Sequence, residues 1–314
     1  MNTRDKNLHA KIGKAIAQAV KAAPKDDAAL LAQLRNLVAL QTTRTEGRAL
    51  SVAPRQPKGA RLANDPRYLA NIRKLVKQKP NERIVGGSAV EGAEFNDCVA
   101  VGDDNQFGCT GTLIAPNVVL TAAHCEALHT RVFVGNSLSK KGREFRVRKH
   151  LRHASFDSKF RNDLMILILE KKVTGVKPRA LASAAVIDAA TTARVVGFGT
   201  TDVHATQGFG LKRKTDVPIV SQGCRGKVNG KSDATVYGCH RDREIVAGKP
   251  LFLHDTCKGD SGGPFFVQDA KRRWLLAGVT SRGTDLASTM CGDGGLYVRV
   301  DAYAQWIAAA LKQA

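Results

Sequence analysis

From Ile84 to the C-terminus the chain is a succession of short apolar runs: CVAVG, TGTLIAP, NVVLTAA, RVFVG, LMILIL, ARVVGFG, WLLAGVT and GLYVRV. They are rich in β-branched residues and separated by Gly, Asp, Asn or Pro. Runs this short suit strands bounded by turns. Many such strands with few helices predict an all-β sandwich or barrel. Aromatic residues are only 5% of the chain, so the core must be built mostly from Val, Leu, Ile and Ala. The exception is the end, DAYAQWIAAALKQA, which places Tyr303, Trp306, Ile307 and Ala310 on one face of a terminal helix.

Residues 1–83 have a different texture. They hold 18 basic and 6 acidic groups, so they carry +12 of the chain's net +21. Leu8, Ile12, Ile16 and Val20 recur four apart, a helical stripe with lysines on the other faces, and Pro24 ends it. Leu30, Leu34, Leu37 and Leu40 repeat the pattern behind a cap at Asp26 or Asp27. Residues 43–63 read as a linker, and a short third helix runs from Pro66 to Lys77. The region is therefore expected to be mainly helical or partly disordered, its helices packing on each other or on the next domain. The excess of positive charge offers contact with a polyanion or an anionic surface. No recognition helix or zinc-finger pattern is present, so specific nucleic-acid binding is not expected.

All seven cysteines follow residue 97, and no pair has the C-x-x-C spacing of a zinc or redox site. Scattered cysteines in a large domain fit disulfides in an oxidising compartment, secreted or periplasmic. The N-terminus lacks the apolar core of a secretory signal, and no stretch is long and apolar enough to span a membrane. A leader absent from this sequence would reconcile the two.

Three short stretches could carry chemistry. CKGDSGGP, Cys257–Pro264, sets Ser261 among glycines. A serine hydroxyl is a weak nucleophile that needs a base and a pair of donors for a developing oxyanion. The glycines let backbone approach a substrate and point the Gly259 and Ser261 amides inward. Taken alone, such a cluster is more often just a turn. TAAHC places His124 directly after an apolar stretch, and a lone histidine is usually structural. NDLMILIL places Asp163 at the mouth of an apolar strand, where a carboxylate is costly to bury without a partner and an imidazole N–H is a natural one. The chain order is His, Asp, Ser.

With these residues in view, the chain from Ile84 onward resembles the chymotrypsin–trypsin family of serine endopeptidases. Four motifs agree in order: RIVGG at 83–87, TAAHC at 121–125, NDLMIL at 162–167 and GDSGGP at 259–264. VGFG at 196–199 and GLYVRV at 295–300 are lesser matches. The resemblance implies two packed six-stranded antiparallel β-barrels with a C-terminal helix, and a monomer. It implies His124 as general base and then acid, Asp163 holding its tautomer, Ser261 as nucleophile, and Ser281 supporting the buried Asp. It also implies disulfides Cys109–Cys125, Cys224–Cys239 and Cys257–Cys291. Cys98 is left over, either a buried thiol or an intermolecular or variant link.

By the same resemblance, Asp255 lies at the floor of a specificity pocket walled by Gly283 and Gly295, which implies protein or peptide substrates cleaved after Arg or Lys. Arg282 stands where the family usually has Trp, which points to acidic or small residues at the neighbouring subsites. Cleavage of the Arg83–Ile84 bond would free an amine that pairs with Asp260. Residues 1–83 then read as a propeptide and 84–314 as the protease domain. No cofactor is expected, and no metal: the stretch GNSLSKKGREFRV, where calcium-binding relatives carry two glutamates, is basic and offers only Glu144. His150 and His153 read as surface residues. The rival reading is a catalytically silent or narrow-specificity relative that acts as a polyanion- or membrane-binding protein.

Overall fold

The computed structural model describes residues 15, 17–23, 26–30, 32–33, 65–78, 87–201, 207–248, 256–285, 291 and 294–314. Leu8, Ile12, Ile16, Leu34, Leu37, Leu40, the linker 43–63, Arg83, Ile84 and Asp255 lie outside the described residues.

After helix α1 (Pro66–Gln78) and the short strand β1 (Ser88–Ala89) the chain builds its first barrel. This comprises β2 (Cys98–Gly102), β3 (Phe107–Ala115), β4 (Val118–Thr121), β5 (Arg131–Val134), β6 (Arg143–Arg152) and β7 (Met165–Leu169), closed in the order β2-β3-β4-β7-β6-β5. Helix α2 (Ala184–Ala189) leads into β8 (Thr192–Gly197) and β9 (Arg213–Ser221). The hairpin β10 (Lys227–Val228) and β11 (Lys231–Ser232) is followed by helix α3 (Asp233–Tyr237). The remaining strands are β12 (Glu244–Ala247), β13 (Pro264–Gln268), β14 (Trp274–Gly283) and β15 (Gly295–Arg299). The order β9-β12-β15-β14-β13-β8, with β8 returning to β9, closes the second barrel, and β1 adds to its outside on β9. Every pairing between these strands is antiparallel, so the expected fold class is the observed one.

The apolar runs became strands because closure gives each a buried face. All five residues of β7 are buried, each large aliphatic one contributing about 1.5–3 kcal/mol. A single apolar cluster runs from Val99, Leu120 and Ile166 in the first barrel to Phe266, Leu276 and Val298 in the second. The buried carboxylate of Asp97 receives Arg179 at 2.5 and 2.8 Å, and Arg179 also donates to Trp274 O at 3.1 Å, tying the first barrel to β14. Helix α4 (Ala304–Leu311) adds Ile307 and Ala310 to the cluster, with Tyr303 in the 3-10 turn just before it.

The N-terminal extension packs on the second barrel. Asp26 Oδ1 accepts the amides of Ala28 and Ala29 at 3.0 Å, which settles the choice of cap. Ala19, Val20, Ala23 and Leu30 join Tyr68, Leu69 and Ile72 of α1 in a cluster with Val220, Cys224, Tyr237, Cys239, Val246 and Leu296.

The three disulfides are those the family resemblance implied. Two of them close loops of 15 and 16 residues, a size for which cross-linking contributes about 3 kcal/mol. Cys98 is a buried free thiol, its Sγ 3.6 Å from Val196 O. Burial pushes its pKa up to about 12, so almost no thiolate is present at neutral pH. Iodoacetamide should leave Cys98 unmodified in the folded protein and label it only after denaturation, read by intact mass; rapid native labelling would contradict this burial.

Candidate active site

Asp163 is fully buried, and three donors converge on it. The His124 backbone amide reaches Oδ1 at 2.9 Å, and His124 Nδ1 and Ser281 Oγ reach Oδ2 at 2.8 and 2.6 Å. A buried carboxylate is tolerated only when so satisfied. Since a carboxylate only accepts, Nδ1 carries the proton and Nε2 of a neutral ring is left as the basic nitrogen.

Each partner is delivered by a local device. His124 sits on the 3-10 helix Ala123–Leu128 that follows β4, and Cys125 ties that turn to Cys109 in β3. Phe160 and Asn162 adopt positive φ (56° and 57°) immediately before Asp163, a conformation that non-glycine residues hold only when their surroundings impose it. Asn162 is held from both ends, Oδ1 accepting from Tyr303 Oη at 2.9 Å and Nδ2 donating to Ser155 O at 2.8 Å. The β14–β15 register shifts between Thr280 and Arg282, and Ser281, at the shift, turns its hydroxyl to the other barrel. Bulges re-aim side chains in this way.

The Ser261 loop lies against the same corner. Thr110 N donates to Ser261 O and Thr110 Oγ1 to Gly259 O, at 2.8 and 2.7 Å. Gly262 N donates to Thr280 O at 2.8 Å, and Cys125 Sγ lies 3.7 Å from Ser261 O. Gly259 (φ 99°) and Gly262 (φ 79°) need their conformational freedom; a Cβ on Gly262 would strike Thr121, Thr110 O and Ala122 N. Among the described residues the amides of Gly259 and Ser261 donate to no protein acceptor, and the Ser261 hydroxyl is not hydrogen-bonded to His124.

Asp260 is half-buried and forms a second polar site with the amides around it. Gly199 N and Cys257 N donate to its two oxygens at 2.8 and 2.9 Å. No described cation lies within ion-pair distance of it. Burial, only partly opposed by those two amides and by nearby Arg213, pushes its pKa up to about 6. A cavity of about 40 Å³ opens beside it, lined among others by Gly87, Gly197, Gly199, Arg213 and Thr256. A Cβ on Gly197 or Gly199 would run into the Asp260 carboxylate, which explains both glycines of VGFG.

On the other side of the serine, Gly283 of β14 stands directly opposite Gly295 of β15, with Thr256 Oγ1 near the Gly295 position. Arg282 does not present a free charge. Its guanidinium is taken by buried Glu244, at 2.6 and 3.0 Å, and by Gly238 O at 2.9 Å. That pairing removes the reason for expecting acidic residues at the neighbouring subsites. Phe160 packs between the two, its ring centroid 5.6 Å from that of His124 and 5.9 Å from the Arg282 guanidinium. His150 is exposed and lies against the His129 ring, while His153 packs on Tyr303 and Trp306. Sequence reasoning missed Thr110, Phe160 and Glu244; none stands in a pattern of its own.

Comparison with known proteins agrees with this geometry. The trypsin family model matches residues 84–307. A trypsin of Saccharopolyspora erythraea is 34% identical over 233 residues, covering 70% of this chain and 94% of that protein. With the two barrels and the His124–Asp163–Ser281 cluster in place, the chain belongs to the trypsin family of serine peptidases.

Proposed function

We propose that the protein is a secreted serine endopeptidase, made as a zymogen with a propeptide at 1–83 and a protease domain at 84–314, that hydrolyses peptide bonds after Arg or Lys. The observation that carries the reading is the buried Asp163 orienting His124 beside the Ser261 loop. Ser261 Oγ attacks the carbonyl carbon of the scissile bond as its proton passes to His124 Nε2. Asp163 holds the ring and stabilises the imidazolium. The Gly259 and Ser261 amides stabilise the oxyanion. The imidazolium then gives its proton to the leaving amine, and an acyl-enzyme remains. Water, deprotonated by His124, repeats the attack and releases the acid and Ser261.

Specificity rests on Asp255, which would pair with the cationic end of an Arg or Lys side chain passing along the wall formed by Gly283 and Gly295. Activation rests on Asp260. Gly87 lies on the wall of its cavity and follows Ile84 by three residues, an extended reach of about 10 Å. An amine freed at Ile84 can therefore supply the cation that no described residue gives Asp260, and the ion pair would order the oxyanion loop. Full-length protein should hydrolyse Arg- and Lys-amide peptides, and not Phe-amides, only after an Ile-Val-Gly-Gly terminus appears. Ser261→Ala should lower that rate by at least about a thousand-fold. Full activity with Arg83–Ile84 intact would refute the zymogen reading.

Ser281→Ala removes one of the three donors to Asp163. It should destabilise the fold by about 1–3 kcal/mol and lower kcat/KM about tenfold; an unchanged kcat/KM would show that His124 is oriented without it. Asp260 predicts a pH effect of defined sign. Its folded pKa is raised, so between about pH 4 and 6 the folded uncut chain keeps a proton that the unfolded chain has lost. That contribution, on the order of 3 kcal/mol, is full below pH 4 and gone above pH 6. Chemical denaturation of uncut Ser261→Ala protein should show this loss, and the cut protein should not.

A further inference from the structure

We infer that the extension is not discarded on activation: residues 65–78 remain docked without a covalent link and position the wall of the specificity pocket. The inference rests on the proposed cleavage after Arg83. The docking has the composition of a protein core. Tyr68, Leu69 and Ile72 are buried against Val220, Val246 and Leu296 of the second barrel and against the Cys224–Cys239 disulfide. Asn71 Nδ2 donates to Ile219 O at 2.6 Å, where the β9–β12 register shifts. A leader that is merely cut away needs no side-chain amide committed to a strand carbonyl.

A polar network fixes the start of the helix. Arg67 joins two fully buried carboxylates, reaching Asp65 at 2.7 Å and Asp233 at 2.6 Å. Asp65 also accepts the Tyr237 hydroxyl at 2.8 Å. If the extension left, Asp65 would depart with Arg67, and Asp233 would stay on the protease side with Gly226 N as a donor but without its cation.

Tyr237 connects this network to the pocket. Its carbonyl accepts Asp285 N at 2.9 Å, and the next carbonyl, of Gly238, accepts Arg282 Nη2 at 2.9 Å. Residues 282 and 285 bracket Gly283, and Leu296, packed in the extension's own cluster, comes directly after Gly295. Asp65 is thus a positioning residue two hydrogen bonds from the segment that walls the pocket.

The test replaces residues 79–83 with Asp-Asp-Asp-Asp-Lys, so that enteropeptidase releases Ile84 whether or not natural activation occurs. After cutting, size-exclusion chromatography in 0.5 M NaCl should keep the extension with residues 84–314. It should separate in 6 M guanidinium, and Ile72→Asp should release it under native conditions. Tyr237→Phe, which removes one hydroxyl, should raise KM for an Arg-amide several-fold and leave kcat within about twofold. Separation of the wild-type extension under native conditions would overturn retention; an unchanged KM in Tyr237→Phe would overturn the link to the pocket. If the cut protein hydrolyses no amide, the proposed function fails while the chromatogram still decides retention.

Discussion

A carboxylate removed from water must be surrounded by donors, and Asp163 draws its donors from both barrels. His124 comes from the first, at the end of β4, and Ser281 from the second, at the irregularity in β14. Neither barrel alone satisfies the charge. Correct association of the two halves is therefore built into the requirement that a buried ion be solvated by protein. The strained Phe160–Asn162 turn, the Asn162–Tyr303 hydrogen bond and the disulfide at Cys125 can all be understood as fixing the approach of these donors.

Asp260 is the opposite case. It is half-buried, open to the cavity beside it, yet it has two backbone amides and no described cation within ion-pair distance. The same loop thus holds a hydroxyl facing one way and an incompletely compensated carboxylate facing the other. Whatever settles the carboxylate also settles the backbone on either side of it, including the Gly259 and Ser261 amides.

Much of this was legible in the sequence, for reasons that differ by element. Strands β2, β5 and β15 are apolar runs whose patterns survive inspection, because barrel closure buries both their faces. Strand β6 was missed: REFRVRKHLR exposes its charged residues and leaves Phe145, Val147 and Leu151 half-buried, an alternation hidden by flanking arginines. The stretches around His124, Asp163 and Ser261 stand out in the sequence because each motif is local. The partnership of Arg282 with Glu244 could not be found so, since the two residues lie 38 apart and meet only through β12, β14 and β15. Thr110 is one of two threonines in β3 until the serine loop is laid over it. The helices of the extension were visible as amphipathic stripes, but a stripe does not say what it faces.

That last point changes where the molecule should be divided. Residue 84 is where the family match begins and where the proposed cut falls, yet Val220, Val246 and Leu296 belong to a core completed by Val20, Leu30, Leu69 and Ile72. The unit of folding crosses the boundary that proteolysis would draw. A gene trimmed at Ile84 for recombinant production would encode His124, Asp163, Ser261 and Ser281 and still leave an apolar face of the second barrel bare, a surface of the kind that drives aggregation during refolding.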